Sequence, residues 1–570
     1  MTATLPAVGA MWRRVSAAAV RLRRLVGRQR LDGRMAEPTA TLIGHLLRFW
    51  WAAAVARLVQ VRPLTTRPIR LCPDVPPPGT WRRWRTTGSI DRPVGELAHQ
   101  LADEVIAVLT DAGVDPILVD HAHHIHLAVP AESRGVALGS LEQLGPHGAW
   151  YLRWRRGHRW RLHPVGSRRS MRARHAESWR VFRCVELGTE LAAGAHEAVE
   201  VSFWAVGAEG RRERLGVRGL ERYEPDSPPT VETIDRHRYR GSAAFPVERA
   251  LGRVREPIDV VYTWVDGDDP GWRTEFERWR GIERPDDRRD HAAHAARYTS
   301  HDELRYSLRS LWMYADWVRH VYVVTADQQP DWLRPDQRLT VVSHRDILPA
   351  AALPTFNSHA IESRLHHVPG LAEQFLYFND DMFLGRPVRP EQFFTPNGLA
   401  RFFESGARVP TSPDGSALAV DTAARRGRAM LEAEYGVTVS HKLHHAPYAL
   451  RRSVMEEIES RFAETVTATT HSRFRHPDDL SVPSAFAHHY AFLTGRSVHG
   501  ELHVGYENLG GRRLALFLER TRLGRDFDVF CLNETERWET DPVRTGERVH
   551  QFLDSYFPVP SPWELSSTLP

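Results

Sequence analysis

Two adjacent carboxylates follow an apolar run in the second half of the chain. Phe375–Phe378 has the pattern of a buried strand, and Asn379, Asp380 and Asp381 come directly after it. Carboxylate oxygens at a strand end suit Mg²⁺ or Mn²⁺, and such an ion can neutralise the charge of a diphosphate. The alternative is a turn or a helix N-cap, which Asn and Asp also favour. The pair Asp380 and Asp381 is therefore a candidate metal site.

An earlier apolar run has a similar arrangement. Ile258–Val261 is followed by Tyr262 and Trp264, and then by an acidic turn that begins at Asp266. Ligands of open α/β sheets bind outside the carboxyl ends of the strands, so these side chains are candidate contacts for a nucleotide sugar. The alternative is a core strand that ends in a solvated Asp/Gly turn.

Length and charge limit the possible classes of protein. A chain of 570 residues is long enough for two or three domains with real cores. The net charge is +5, but 71 acidic residues oppose the cations, so we expect no nucleic-acid partner. Lys442 is the only lysine, and every other cationic side chain is arginine, which is well suited to bidentate phosphate contacts.

Cysteine usage and hydropathy indicate a reducing, intracellular location. Cys72, Cys184 and Cys531 are far apart and form no CxxC pair, so neither a zinc knuckle nor a disulfide framework is indicated. No segment reaches the length of a membrane-spanning helix, and arginines interrupt the N-terminal apolar stretches. We therefore expect a cytoplasmic protein without a cleaved signal peptide.

Composition divides the chain into three parts. Residues 1–72 form a basic, amphipathic leader that either lies on an anionic membrane face or is solvated. Residues 80–240 are predicted to form a small accessory α/β domain, after a proline-rich linker at 73–79. Residues 255–570 carry the candidate chemistry. The leader suggests peripheral association with the inner face of the plasma membrane.

The accessory part shows helical spacing and then strand-like segments. Apolar residues recur at helical spacing from Leu97 to Leu109, and a strand is predicted at Ile117–Val119. Four histidines follow at positions 121, 123, 124 and 126. They favour a polar strand edge over a metal site, because the chain contains 30 histidines in all.

Strands and helices alternate in the second half. Besides the two apolar runs, His320–Thr325 and Leu339–Ser343 are predicted strands, and Ser300 with Glu303 forms a capping box that predicts a helix start. The stretch Leu353–Glu362 is predicted to open a further helix, with Ile361, Leu365 and Val368 on its buried side. This order indicates an α/β fold, with a Rossmann-like (GT-A-like) catalytic domain and a separate small α/β N-terminal domain.

Several motifs together resemble the conserved regions of the Stealth family. These are Ile-Asp-Val-Val-Tyr-Thr-Trp-Val-Asp-Gly (258–267), Glu-Leu-Arg-Tyr-Ser-Leu-Arg-Ser-Leu (303–311), Tyr-Phe-Asn-Asp-Asp (377–381), His-Ala-Pro (445–447), Arg-His-Pro-Asp-Asp (475–479) and Cys-Leu-Asn-Glu (531–534). The resemblance covers roughly 255–560 in the family's order. It implies transfer of a hexose-1-phosphate from a nucleotide sugar to a sugar hydroxyl, as in capsule and cell-wall glycan synthesis.

The resemblance also implies roles for individual residues. Its catalytic positions fall on Glu362, Asp381, His445 and Arg475. His445 is the candidate base, because imidazole titrates near neutrality. Arg475 is the candidate cation for the phosphoryl oxygens. The expected substrate contacts are Tyr262, Trp264, Asp266, Asn379, Lys442 and Asn533. The family often has Asn-Asp where this chain has Asn533-Glu534, so a metal role for Glu534 is in doubt.

The expected partners are a nucleotide-sugar donor similar to UDP-GlcNAc and a glycan acceptor. The sequence leaves open whether the chain forms a homodimer.

Two other functions are compatible with some of these residues. A metal-dependent glycosyltransferase would use the same acidic strand ends to move the sugar without its phosphate. A non-catalytic glycan-binding scaffold would tolerate loss of the acid and base positions, all of which are present here.

Overall fold

The computed structural model describes residues 92–121, 124–147, 150–156, 159–186, 192–194, 197–207, 210–216, 221–283, 298, 302–410, 419–534 and 542–565. The predicted leader at 1–72, the linker at 73–79, Cys72 and His123 lie outside these residues.

Helices and strands alternate along the described chain. The helices are α1 (Val94–Asp111), α2 (Arg134–Ser140), α3 (Pro270–Glu283), α4 (Glu303–Tyr314), α5 (His344–Ile347), α6 (Ser358–Glu362), α7 (Ala419–Tyr435), α8 (Arg452–Arg461), α9 (Ala463–His471), α10 (Ala487–Leu493), α11 (Leu514–Gly524) and α12 (Pro542–Tyr556). The strands of the first half are β1 (Ile117–Asp120), β2 (His126–Pro130), β3 (Trp150–Arg156), β4 (Arg159–Pro164), β5 (Ser178–Arg183), β6 (Val185–Glu186), β7 (Ala192–Ala193), β8 (Val199–Val206), β9 (Arg212–Arg214), β10 (Arg222–Tyr223), β11 (Pro229–Ile234) and β12 (His237–Ser242). The strands of the second half are β13 (Ile258–Thr263), β14 (Val321–Thr325), β15 (Leu339–Ser343), β16 (Gln374–Asn379), β17 (Met382–Leu384), β18 (Ala400–Phe402), β19 (Glu404–Arg408), β20 (His441–Leu443), β21 (Tyr448–Arg451), β22 (Ser497–His499), β23 (Val504–Asn508) and β24 (Val529–Asn533).

A mixed sheet forms the core of the first half. Its strand order is β1-β2-β8-β5-β3-β4, with β9 beside β8 and β10 beside β9. Helix α1 has a buried apolar stripe that includes Leu97, Leu101, Val105 and Leu109, so the helical spacing predicted this element correctly. The predicted strand at 117–119 is β1.

His126, the last of the histidines after β1, does not lie at the edge of the sheet. Strand β2 lies between β1 and β8, and His126 at its start is buried, with its Nε2 atom 2.8 Å from Ser202 Oγ. The predicted edge position is wrong for His126, because a neighbouring strand covers each side of β2.

The second half contains a five-stranded sheet with the order β15-β14-β13-β16-β21. The first four strands are parallel, and β21 is antiparallel to β16. All five residues of β14 and the first five of β13 are buried. Such continuous apolar, β-branched runs are typical of parallel strands covered on both faces. The four strands predicted from the sequence are therefore confirmed, and the fold class is α/β.

A smaller sheet continues directly from the central one. After the two residues Asp380 and Asp381, the chain passes from β16 into β17, which pairs with β24, and β24 pairs with β23. Met382 lies opposite Cys531 in the β17–β24 register. The turn at Asp380 and Asp381 therefore lies where two sheets meet.

Polar residues occupy the N-cap positions of two helices in this half. Helix α4 begins at Glu303 with Asp302 at the N-cap position, and Ser300, the predicted capping-box partner of Glu303, lies outside the described residues. Helix α6 is capped by Asn357, whose side chain accepts a hydrogen bond from the backbone N–H of His359. A 3₁₀ turn at Leu365–His367 follows α6, and Gly370, with φ of +80°, ends this segment.

The two halves are in contact. Buried side chains from α1 and from α4 belong to one continuous hydrophobic cluster that also includes both large sheets. Near the junction, the backbone N–H of Val254 donates to Glu391 Oε1 at 3.0 Å. None of the helices in the described part of the chain is long and apolar enough to cross a lipid bilayer.

Asp259 ties the amino-terminal ends of three adjacent strands together, and we predict that it is essential for stability. Its fully buried carboxylate accepts from Arg319 Nε at 2.7 Å and from the backbone N–H of Ala372 at 2.7 Å. Asp259→Ala should lower the free energy of unfolding by about 3 kcal/mol, because it leaves a buried N–H without a partner. Urea unfolding of the full chain measures this loss. Glu456→Ala, which removes only a partly exposed ion pair on α8, should change stability by less than about 0.5 kcal/mol.

Buried histidines predict a loss of stability in mild acid. Burial lowers the pKa of His126, His344 and His488 to about 4, from the ordinary value of 6.5. Between these pH values the unfolded chain binds more protons than the folded one, so stability falls as the pH drops from 6.5 towards 4. His344→Gln should reduce the slope in that window by at most about 1.4 kcal/mol per pH unit. The exposed His471→Gln is the control, and an equal change in both variants would contradict the prediction.

Candidate active site

Asp381 lies in the turn between the two sheets, and side chains from distant parts of the chain surround it. Asn533 Nδ2 donates to Asp381 Oδ2 at 3.0 Å, and the Cys531 thiol donates to the same oxygen at 3.3 Å. His445 Nε2 lies 3.5 Å from Asp381 Oδ1. The structure therefore brings together three of the residues predicted for the site, Asp381, His445 and Asn533.

These neighbours keep Asp381 ionised. Burial alone raises the pKa of this carboxyl, but the three polar neighbours outweigh that effect and hold it below its usual value. Asp381 Oδ1 accepts no hydrogen bond from the described residues, although it is buried. A negatively charged oxygen without a hydrogen-bond donor is a suitable ligand for a cation.

Asp380 is in the opposite situation. Burial raises its pKa well above the usual aspartate value, and the carboxylates of Glu303 and Asp381 raise it further. Two adjacent carboxyls, one of them charged and one forced toward the neutral form, would both be charged next to a divalent ion. The residues at this turn therefore fit the predicted metal site, with Asp380 and Asp381 as the donors.

His445 lies just before β21 and is held by a residue of that strand. Its Nδ1 atom is 3.3 Å from the hydroxyl of Tyr448, which leaves Nε2 facing Asp381. Tyr448 is buried, and its ring stacks on that of Tyr377 with a centroid distance of 6.0 Å. One ring nitrogen is thus fixed by the protein, and 28% of the His445 side chain is exposed and can reach a ligand.

Glu362 ends the short helix α6 and is buried behind these tyrosines. Tyr377 donates to Glu362 Oε1 at 3.2 Å, and Thr263 Oγ1 lies 3.0 Å from the same tyrosine hydroxyl. Glu362 Oε2 has no hydrogen-bond partner among the described residues. Burial raises the pKa of Tyr448 well above its usual value, and the Glu362 carboxylate raises it further. Glu362 therefore belongs to the same electrostatic environment as the residues around Asp381.

Arg475 is attached to the other end of α6. Its Nη2 donates to Ser358 Oγ at 2.6 Å, while its buried Nε has no hydrogen-bond partner among the described residues. Burial lowers the pKa of His359, the next residue on α6, and the positive charge of Arg475 lowers it further. Helix α6 thus connects two of the predicted catalytic residues, Glu362 and Arg475.

The loop that carries Arg475 is fixed by one buried amide. Asn357 Nδ2 donates to the backbone oxygen of Ser472 at 2.9 Å and to Asp479 Oδ2 at 2.8 Å. Asp479 Oδ2 also accepts from the backbone N–H of His476 at 2.8 Å. The position of the guanidinium therefore depends on the same residue that caps α6.

The predicted substrate contacts differ in accessibility. Tyr262 is fully buried and its hydroxyl lies 2.9 Å from Ser307 Oγ, so the prediction of a donor contact is wrong for this residue. A side chain without exposed surface cannot contact a nucleotide sugar. Trp264 and Asn379 are partly buried at the ends of β13 and β16, where Asn379 pairs with Thr263.

The two remaining predicted contacts have protein partners. Asp266 Oδ1 accepts from the backbone N–H of Asp268 at 2.8 Å, which is the hydrogen bond of an Asx turn. Gly267 fits this turn because a Cβ there would lie only 2.4 Å from the backbone oxygen of Tyr298. Lys442 pairs with Asp421 on α7 through its Nζ.

Sequence reasoning missed four residues that position the others, namely Ser358, Tyr377, Tyr448 and Cys531. Two of them carried a usable signal. Tyr377 belongs to the motif at 377–381, and Cys531 is two residues from Asn533 on the same strand, so both side chains point to one face. Ser358 lies four residues before Glu362 and Tyr448 three residues after His445, but neither position indicates the contacts that the structure shows.

Family models match the second half of the chain at four places. Stealth conserved region 1 matches residues 256–283, region 2 matches 297–402, region 3 matches 444–492 and region 4 matches 519–569. An exopolysaccharide phosphotransferase of Streptomyces coelicolor is 43% identical over 488 residues, which is 81% of each chain. The chain belongs to the Stealth family. The resemblance found in the motifs is thereby confirmed, and the protein is an enzyme of the phosphotransferase class.

Other relatives match little more than half of the chain. A second exopolysaccharide phosphotransferase of Streptomyces coelicolor is 49% identical over 323 residues, covering 55% of this chain and 52% of the relative. The exopolysaccharide phosphotransferase CpsY of Mycobacterium tuberculosis is 40% identical over 316 residues, covering 54% of this chain and 58% of the relative. This chain thus spans little more than half the length of these two relatives.

We predict that Tyr377 positions Glu362. Tyr377→Phe keeps the ring that stacks on Tyr448 and removes the only described hydrogen-bond donor to Glu362 Oε1. The rate constant kcat for transfer should fall on the order of 10-fold, with a smaller change in KM. Tyr435→Phe is the control, because the buried Tyr435 hydroxyl has no hydrogen-bond partner among the described residues. Equal kcat values for Tyr377→Phe and the wild type would show that this hydrogen bond is not needed.

Proposed function

We propose that this Stealth enzyme transfers a hexose-1-phosphate from a nucleotide sugar, similar to UDP-GlcNAc, to a hydroxyl of an acceptor glycan. The product is a phosphodiester-linked exopolysaccharide, capsule or cell-wall glycan. The names of the relatives support exopolysaccharide synthesis. The observation that carries the proposal is the grouping of Asp381, His445 and Asn533 at the edge where the two sheets meet.

A divalent ion, Mg²⁺ or Mn²⁺, is part of the proposal. Asp380 and Asp381 would hold it, and it would neutralise the charge of the diphosphate in the donor. The open Oδ1 of Asp381 and the raised pKa of Asp380 support this assignment.

The protein residues supply the remaining functions. We assign His445 Nε2 the role of base that removes the proton from the acceptor hydroxyl, because Tyr448 occupies the neighbourhood of its other ring nitrogen. Arg475 would stabilise charge on the phosphoryl oxygens through N–H groups that the described residues leave free, such as Nε. Glu362 would orient the donor sugar or the base from its position behind Tyr377.

These roles determine which bond forms and which bond breaks. The acceptor oxygen attacks the phosphorus that bears the sugar, the bond from that phosphorus to the nucleoside monophosphate breaks, and the monophosphate leaves with the electron pair. The bond between phosphate and anomeric carbon is untouched, so the donor's anomeric configuration is kept.

The proposal also includes the fold of the catalytic domain and the location of the enzyme. The parallel strands β15-β14-β13-β16, with ligand-binding residues at their carboxyl ends, support a Rossmann-like, GT-A-like catalytic domain. We further propose that the enzyme works in the cytoplasm, where nucleotide sugars are made, with the basic leader at the inner membrane face. Membrane association, a homodimer and the accessory role of 80–240 stay predictions.

The reaction is tested by the leaving nucleotide. The purified chain is incubated with a series of nucleotide sugars, an acceptor glycan and Mg²⁺ or Mn²⁺. Mass spectrometry should detect a nucleoside monophosphate, and phosphorus NMR of the glycan should show a diester. A nucleoside diphosphate together with a phosphorus-free product would instead identify a metal-dependent glycosyltransferase.

The same assay tests Asp381. Asp381→Asn should lower the rate by at least about 1000-fold while the circular dichroism spectrum stays unchanged. Asp478→Asn is the matched control, because Asp478 is an exposed aspartate of the motif at 475–479. Full activity after exhaustive EDTA treatment would rule out the metal requirement.

A further inference from the structure

The candidate active site contains a second group of donors that differs from the carboxylate pair. Asp381, His445 and Cys531 each offer one ligand atom, and the oxygen, nitrogen and sulfur atoms all lie within 4.8 Å of one another. Mg²⁺ and Mn²⁺ prefer oxygen ligands, whereas a set of one thiolate, one imidazole and one carboxylate is typical of Zn²⁺. We propose that this group binds Zn²⁺ and that the bound ion switches the enzyme off.

The protein already orients the donors. Tyr448 lies beside His445 Nδ1 at 3.3 Å, and Asn533 holds Asp381 Oδ2 at 3.0 Å. His445 Nε2 and Asp381 Oδ1 are thereby left facing each other at 3.5 Å. Fixing the second atom of a ligand in this way is the usual arrangement around a metal ion. The buried Asp381 Oδ1, which accepts no hydrogen bond from the described residues, independently indicates a cation at this point.

The third donor comes from inside the smaller sheet. Cys531 is fully buried in β24, and its sulfur lies 3.3 Å from Asp381 Oδ2. The Asp381 side chain is 16% exposed and that of His445 is 28% exposed, so an ion can enter from the solvent side. Three protein ligands and one position open to water would complete a tetrahedral zinc site. Binding replaces the thiol proton, which passes to the buffer, and involves no oxidation.

A second group of possible ligands serves as a comparison. His366, His367 and Glu459 also lie close together, but both imidazoles already hydrogen-bond to Glu459, and Arg364 pairs with the same carboxylate. His366 Nδ1 has no described hydrogen-bond partner that could orient it as a ligand. This group contains no sulfur, so an ion bound there would be spectroscopically distinct.

The consequence for activity rests on the proposed function. An ion on His445 Nε2 occupies the lone pair that would accept the proton of the acceptor hydroxyl. The same ion occupies Asp381, which would otherwise help hold Mg²⁺ or Mn²⁺. Zn²⁺ at one equivalent should therefore lower the rate of transfer at least about 10-fold in the presence of Mg²⁺.

Cobalt provides a direct test that needs neither donor nor acceptor. The full, reduced, metal-free chain is titrated with Co²⁺, which takes the place of Zn²⁺ and gives a near-ultraviolet charge-transfer band when it binds a thiolate. We expect this band to saturate at one equivalent and to disappear when Zn²⁺ is added. Cys531→Ser should abolish the band, whereas Cys184→Ser, which alters the other buried cysteine of the described residues, should keep it.

Two further results guard against misfolding and against confusion with the proposed reaction. His445→Gln should raise the Kd for Co²⁺ at least about 10-fold, which decides the matter if Cys531→Ser fails to fold. Absence of the band in the wild type, or its persistence in Cys531→Ser, would overturn the site. A band without zinc inhibition would overturn the switch alone. Failure to transfer sugar phosphate from any donor would contradict the proposed function and leave the cobalt result intact.

Discussion

The dominant constraint on the candidate site is the electrostatic free energy needed to place two adjacent carboxylates in a poorly solvated turn. Burial alone would raise the pKa of both Asp380 and Asp381, and the Asp381 carboxylate raises that of Asp380 further. Only Asp381 has protein partners that overcome this cost, and they come from two places, the segment before β21 and strand β24. The turn therefore requires the central sheet and the smaller sheet to meet at this point.

The second support of the site is a helix too short to be stable alone. Helix α6 has five residues, whereas an isolated helix needs about 12 or more to form in water. Its conformation must come from tertiary contacts, chiefly the buried Asn357, which caps the helix and also binds the loop that carries Arg475. Glu362 and Arg475 are thus positioned by the same few hydrogen bonds, although they are far apart in the sequence.

Elements that depend on a local sequence pattern were predicted correctly, whereas contacts that depend on long-range strand pairing were not. Strands β13 to β16 were predictable because continuous apolar runs bounded by turns are typical of buried parallel strands. The same continuity explains the error at Tyr262. When both faces of a strand are covered, alternation does not show which aromatic is inside, so Tyr262 and the more accessible Trp264 were indistinguishable.

The smaller sheet was not predictable for a different reason. Its strand β17 has three residues, and its partner β24 follows about 150 positions later, with no local signal that links them. The motifs located Asp381 and Asn533 individually, but their contact and the role of Cys531 appear only when this pairing forms. Likewise, Asp302 before α4 has a φ of +67°, a backbone conformation that a search for capping boxes does not detect.

Charge balance gives the strongest physical reason to expect an ion in the proposed reaction. Burial raises the pKa of Asp380, the carboxylates of Glu303 and Asp381 raise it further, and Glu362 adds another acidic group behind Tyr377. A nucleotide sugar brings additional negative charge on its diphosphate. One guanidinium at Arg475 and one imidazole at His445 cannot neutralise all of these groups in a medium of low dielectric constant. A divalent cation between the carboxylates and the diphosphate would turn this repulsion into attraction, which is why the proposed reaction and the proposed metal stand together.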